Sequence, residues 1–329
     1  MKLAGTVHVR VAGEDILRNP RFWDKVKSTF GGKPDLRTGN RKAALEAAAV
    51  VDAVRDALRS LGATNAVSLV VDDVVLYQDR EGRPDDLGDL FLAFHEQSDA
   101  LGGDFKLLRL AVEHLEAGLH LVIEVQARGE HPDTEEAVRV VIAGRIHDLE
   151  PRKGEDAATY RARVEPLTKD RATIEVARLQ FESFVTRVRD AIQRAMPEAQ
   201  AEVVRAEAQV QRPGAKENAA ARQPTDDRYD PYDNYYPSPL GMMMNMMMWS
   251  AIFSMAMPPH VTVINHAGDP VGTAETPGIE QGDPAPAEAD VGDAGGDVGD
   301  AGGDAGDVGG ADVGDVGGGD FGDFGGFFD

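Results

Sequence analysis

The sequence predicts an α+β protein: an antiparallel meander sheet with helices packed on one face, then a linker, a Met-rich apolar segment and a disordered acidic Gly/Asp-rich tail. Three observations lead there. Leu107–Glu116 and Leu119–Arg128 flank Ala117-Gly118, a two-residue hairpin turn. Thr168 to Met196 carries Ile174, Ala177, Phe181, Phe184, Val185, Val188 and Ile192 at helical spacing, the stripe of a helix that packs on a sheet. Finally, the composition breaks: no Lys or Arg follows Arg228, while residues 229–329 hold 18 Asp or Glu.

The elements follow in order. Thr6 to Ala12 alternates, with Val7, Val9 and Val11 against His8 and Arg10, and reads as a strand. Asn19-Pro20 starts a helix whose apolar face is Phe22, Trp23, Val26 and Phe30, stopped by Gly31. Arg41 to Leu61 is an alanine-rich helix capped by Gly62. Val67 to Tyr77, interrupted by Asp72-Asp73, is a short hairpin or one bulged strand. Leu87 to Leu101 reads as helix.

The Ala117-Gly118 turn sets a register in which Glu116 opposes Leu119, His114 opposes Leu121, Val112 opposes Ile123, Leu110 opposes Val125 and Leu108 opposes Ala127. That face is almost wholly apolar, while the other pairs Arg109 with Gln126 and Glu113 with Val122, as a half-buried sheet requires. Ala137–His147 supplies a third strand after a turn at Glu130–Glu136. Asp156 to Glu165 is helical, although Tyr160, Ala162 and Val164 also alternate, and Pro166 ends it. Thr168 caps the long helix, and the charged, alanine-rich run Glu198 to Val210 reads as its exposed helical extension. The boundaries that result are 1–211 for the globular domain, 212–239 for a linker with a Tyr-rich end, 240–265 for the Met-rich segment plus a short strand (His260 to Asn265), and 266–329 for the tail.

Nothing in 1–211 carries a catalytic signature. His8, His95, His114, His120, His131 and His147 show no metal-ligand spacing, and the hairpin register puts His114 and His120 on opposite faces. Asp72, Asp73, Asp79, Glu81, Asp85, Asp86 and Asp89 form the densest acidic group, which could hold Mg²⁺ in a metal-dependent enzyme. Its Arg80, Gly82, Arg83 and Pro84 give it the composition of a solvated loop. No phosphate-binding glycine motif and no nucleophile elbow occurs, and the absence of cysteine removes thiol chemistry and Cys-ligated zinc. No cofactor is expected. The net charge of −23, with a nearly neutral first 228 residues, speaks against nucleic acid and for basic partners. An N-terminus without an apolar run leads to the expectation of a cytoplasmic N-terminal domain.

The unusual residues lie beyond the domain. Leu240 to Met257 contains eight of the ten methionines, and Met242, Met243, Met244, Met246, Met247, Met248, Trp249 and Phe253 are its candidate contact residues. Three readings compete. Methionine surfaces repack around varied partners, including the protein itself or a second copy. Eighteen residues reach the low end of the ~17–25 that span a bilayer, with four tyrosines on one flank. Thioethers select Cu(I), with His260 and His266 nearby, but consecutive methionines point all round a helix and do not converge.

The tail repeats VGDAGGD at 291–297 and 298–304, misses the calcium-binding nonapeptide pattern, and has too little apolar surface to order itself. Its tip, DFGDFGGFFD, carries Phe321, Phe324, Phe327 and Phe328. The tip resembles the acidic, aromatic-tipped tails of bacterial single-stranded-DNA-binding proteins, although the last residue here is Asp. The resemblance is confined to the tip and implies a tethered peptide ligand. The expectation is a non-enzymatic interaction or adaptor protein that docks through the Met-rich segment and the Phe-tipped tail. The alternatives are a single-span or peripheral membrane protein with a cytoplasmic ligand-binding domain, and an enzyme built on Asp72 and Asp73.

Overall fold

Ala117 and Gly118 both take positive φ, 51° and 78°, the signature of a tight turn whose twist matches the strands it joins. Strands β4 (Leu107–Glu116) and β5 (Leu119–Arg128) therefore pair in the register expected, from Glu116↔Leu119 to Leu108↔Ala127. In the computed structural model the described residues are 1–10, 39–79, 105–128, 138–212, 222–236, 244, 247–250, 260–265, 268–273 and 276. The expected helices at Asn19–Phe30 and Leu87–Leu101, the Glu130–Glu136 turn and the whole repeat tail fall outside them.

Around this hairpin the chain builds a nine-stranded sheet. The remaining elements are β1 (Lys2–Arg10), α1 (Gly39–Ser60), β2 (Asn65–Val71), β3 (Val74–Gln78), β6 (Val138–Ile146), α2 (Ala157–Thr168), α3 (Arg171–Ala195), β7 (Gln200–Gln211), α4 (Pro231–Tyr235), β8 (Val261–Ile264) and β9 (Pro270–Thr273). The strand order is β3-β2-β4-β5-β6-β1-β7-β8-β9. The fold is α+β, but the sheet is mixed and extends beyond a meander: β8 runs parallel to β7. A parallel neighbour needs a long crossover, and residues 212–260 provide it.

Asp72 and Asp73 make a hairpin turn between β2 and β3, at φ 47° and 68°. The α2 helix runs through Pro166 to Thr168, so Asp170, not Thr168, caps α3 by accepting from Ala172 N at 3.0 Å. Ile174, Ala177, Phe181, Phe184, Val185, Val188 and Ile192 are all buried on its inner face, as their spacing predicts. Full burial of each large side chain contributes roughly 1.5–3 kcal/mol. The helix sits so close to β1 that a Cβ on Gly5 would come within 2.8 Å of Val185 Cγ2.

The run Glu198 to Val210 is not a helical extension: after a turn at Glu198 it enters strand β7, paired to β1 and β8. The alternation was hidden by a bulge. Thr6 pairs with Arg205 and Val7 with Val203, which leaves Val204 looped out and more than half exposed. Core-facing residues are thus Ala201 and Val203 before the bulge and Ala206, Ala208 and Val210 after it, a change of parity that erases the period of two.

Candidate functional site

The second face of the sheet was expected to be mixed and half-solvated. Instead β6 is buried throughout and β5 almost throughout. What covers it is the segment 222–236, whose Tyr-rich end the sequence placed in a linker. The sheet presents Arg109, Glu124, Gln126, Arg139, Arg145 and His120 on this side, and the segment answers with acids and phenols. Buried polar groups of this kind need partners, and here nearly every one has them.

Glu124, fully buried, accepts from Tyr235 Oη at 2.9 Å, Tyr229 Oη at 3.1 Å and Gln126 Nε2 at 2.7 Å, with Arg109 at 3.8 Å. Arg139 donates to Gln126 Oε1, to Asp227 and to the carbonyls of Pro224 and Asp226. Arg145 donates to Asp230 at 2.9 Å and Asp233 at 2.6 Å, and lies 4.4 Å above the Tyr232 ring. Lys2 reaches both acids from β1. Val122 and Ala143 form a small apolar island under Tyr232, flanked by Tyr235 and Tyr236.

Asp230 also caps α4, accepting from Tyr232 N at 3.1 Å. Burial pushes its carboxyl up, but the Arg145 and Lys2 charges outweigh this and hold it at about 2, below its ordinary 3.8. A depressed folded-state value stabilises the fold above the unfolded value and is lost as pH falls through the folded one. The stability difference between wild type and Asp230→Asn should therefore be present at pH 5–7 and shrink as pH drops from about 4 to 2. Chemical denaturation at each pH measures it, and a difference constant down to pH 2 would contradict the assignment.

At the far end of this face stands His120. Its Nδ1 is 2.7 Å from Glu150 Oε1 and 2.9 Å from Tyr232 Oη, which also donates to Glu150. Its Nε2 is 2.6 Å from Glu113 Oε1, a short ion-pair contact that is not aligned with the ring N–H. Tyr232 and Tyr236 pack edge-on at 5.1 and 4.9 Å. Burial alone would lower the imidazole pKa, but Glu113 and Glu150 overcome it and raise it to about 9. The two acids thus favour the charged form of the imidazole against its burial. His147 Nδ1 is 2.9 Å from the other oxygen of Glu150. Ligand atoms of His120, His147 and Glu150 all lie within 4.8 Å of one another, a set that could hold a metal ion. His114, by contrast, stacks on Phe184 on the helix face at 5.4 Å, so the two hairpin histidines do lie apart.

Of the Met-rich segment, the structure describes Met244 and residues 247–250, all helical. Met244 and Met248 are buried in the main core, and Met247 and Trp249 pack partly against it. Met242, Met243, Met246 and Phe253, like Phe321, Phe324, Phe327 and Phe328, lie outside the described residues. Among the described residues no helix is long and apolar enough to cross a membrane. Asp72 accepts from Lys106 N and Leu107 N, both at 2.8 Å, and so fastens the start of β4, while Asp73 lies 3.6 Å from Arg109 and is largely exposed. Glu81, Asp85, Asp86 and Asp89 lie outside the described residues.

Comparison with family models, with curated proteins and with solved structures gives no match.

Proposed function

We propose that the protein is a non-enzymatic interaction protein in which the folded unit serves as an anchor and the acidic, Phe-tipped tail makes the outward contact. The observation that carries this reading is the burial of Met244 and Met248 in the chain's own core. It supports self-docking of the Met-rich segment ahead of insertion in lipid, and the composition of the tail then makes it the candidate for outward contact. Residues 277–329 hold 14 Asp or Glu and no Lys or Arg. Such a segment steers basic surfaces at long range, and its four phenylalanines give the apolar anchors that turn an encounter into a complex.

The test is a full-length variant with Phe321, Phe324, Phe327 and Phe328 all changed to Ser. Co-capture should lose at least about tenfold in the partner that wild type enriches, since each buried aromatic anchor is worth roughly 1–2 kcal/mol. The wild-type complex should weaken as salt rises from about 0.1 to 0.5 M. Equal capture by both chains at both salt concentrations would defeat the proposal.

A further inference from the structure

His147 opens a single 3₁₀ turn, His147–Leu149, immediately after β6. Side chains three residues apart eclipse in such a turn, so His147 and Glu150 project to the same side. The turn is fixed from several directions. His147 N donates to Gly118 O at 2.8 Å, and Glu150 N to His147 O at 3.0 Å. Tyr160, fully buried on α2, donates to Leu149 O at 2.8 Å, and Arg163 donates to the carbonyls of Asp148 and Glu150. The β5–β6 pairing then carries His120, opposite Arg145, to within reach of this turn.

We propose that His120, His147 and Glu150 form a binding site for a divalent transition-metal cation of the Zn²⁺ class. The three donors come from two rigid elements, and both Nδ1 atoms already face the Glu150 carboxylate, at 2.7 and 2.9 Å. Two imidazoles and one carboxylate suit zinc and its neighbours, not the hard cations Mg²⁺ and Ca²⁺, which want oxygen alone. The Tyr232 hydroxyl, 2.9 Å from His120 Nδ1, adds an oxygen beside the same point. Behind His120, Glu113 sits 2.6 Å from the opposite ring nitrogen and is itself held by Asn65 at 2.7 Å. This places a carboxylate behind the ring, on the side where metal-bound imidazoles commonly have one, as a charge neighbour and not as an aligned hydrogen-bond acceptor.

The charges also balance. A dication at this point is offset by the carboxylates of Glu113 and Glu150, which flank His120. His147 closes the site from its exposed side, which leaves one flank open to solvent. The proposal does not depend on the tail.

Calorimetric titration of the chelator-treated full chain with ZnCl₂ tests it. Wild type should show one saturable site. His147→Ala, at an exposed side chain, and Glu150→Gln should each weaken it by at least about tenfold. His260→Ala, exposed and outside the cluster, should leave it unchanged. The tail carboxylates are identical in all these chains, so the difference between them reads the cluster alone. Circular dichroism of His147→Ala confirms that the fold is intact. A zinc affinity unchanged by His147→Ala, or no binding at about 1 mM Zn²⁺, would overturn the site. A His147-dependent response to Mg²⁺ in place of Zn²⁺ would overturn the choice of cation class.

Discussion

Replacing Glu124 with Ala is expected to lower the unfolding free energy by about 3–5 kcal/mol, the range for breaking a buried charge pair from one side. The carboxylate is fully buried and stands where four donors meet: Tyr229, Tyr235, Gln126 and, at longer range, Arg109. Removing it leaves those donors desolvated without an acceptor, which costs more than the net worth of any one hydrogen bond. Glu124→Gln keeps an acceptor oxygen and should lose distinctly less. Urea unfolding of both variants measures the difference. A loss under about 1 kcal/mol for Glu124→Ala, the range of surface pairs, would mean that water reaches this face and that residues 222–236 do not seal it.

Met248→Asp should produce the second large effect, and a local one. Met248 is fully buried in the core, and an unpaired carboxylate cannot stay there. Undocking of the segment relieves that burial without unfolding the sheet, so the cost is limited to what the segment contributes by docking. Burial of a methionine and its neighbours contributes several times about 1.5–3 kcal/mol before ordering entropy is subtracted. In a Trp23→Phe background, Trp249 emission should shift to the red and become accessible to a neutral quencher. Far-ultraviolet circular dichroism should change little. Unchanged Trp249 emission would show that the segment is not held by Met248.

What was legible in the sequence was local. The Ala117-Gly118 turn fixed a register because two positive-φ positions and two matched apolar faces agree within twenty-odd residues. The α3 stripe was readable because one helix face repeats in sequence every three to four residues. The β7 strand was not readable, since the bulge at Val204 reverses its inside–outside parity and its alanines and charges favour helix by propensity.

The polar face was hidden for a different reason. Tyr229 meets Glu124 across 105 residues of sequence, and Tyr232 meets His120 across 112. Pro, Asp and Tyr in 222–236 carry no periodicity, so their composition matches that of a linker until Glu124, Arg139 and Arg145 are placed opposite them. The His120, His147 and Glu150 cluster escaped in the same way. One hint was available: His147 and Glu150 are three apart at a strand end, a spacing that a 3₁₀ turn brings together.

Residues 222–236 and the strands β8 and β9 belong with the sheet, and the compact unit runs from Met1 to Ala287. Removing everything after residue 228 would therefore damage the anchor along with the tail. The direct measurement is quantitative co-capture by the full chain beside a chain ended at Ala287, with thermal unfolding of both to confirm an equal fold. The account predicts that the shorter chain keeps its unfolding transition and loses the salt-sensitive partners. Retention of the same partners by the shorter chain would place the interaction on the folded unit and contradict it.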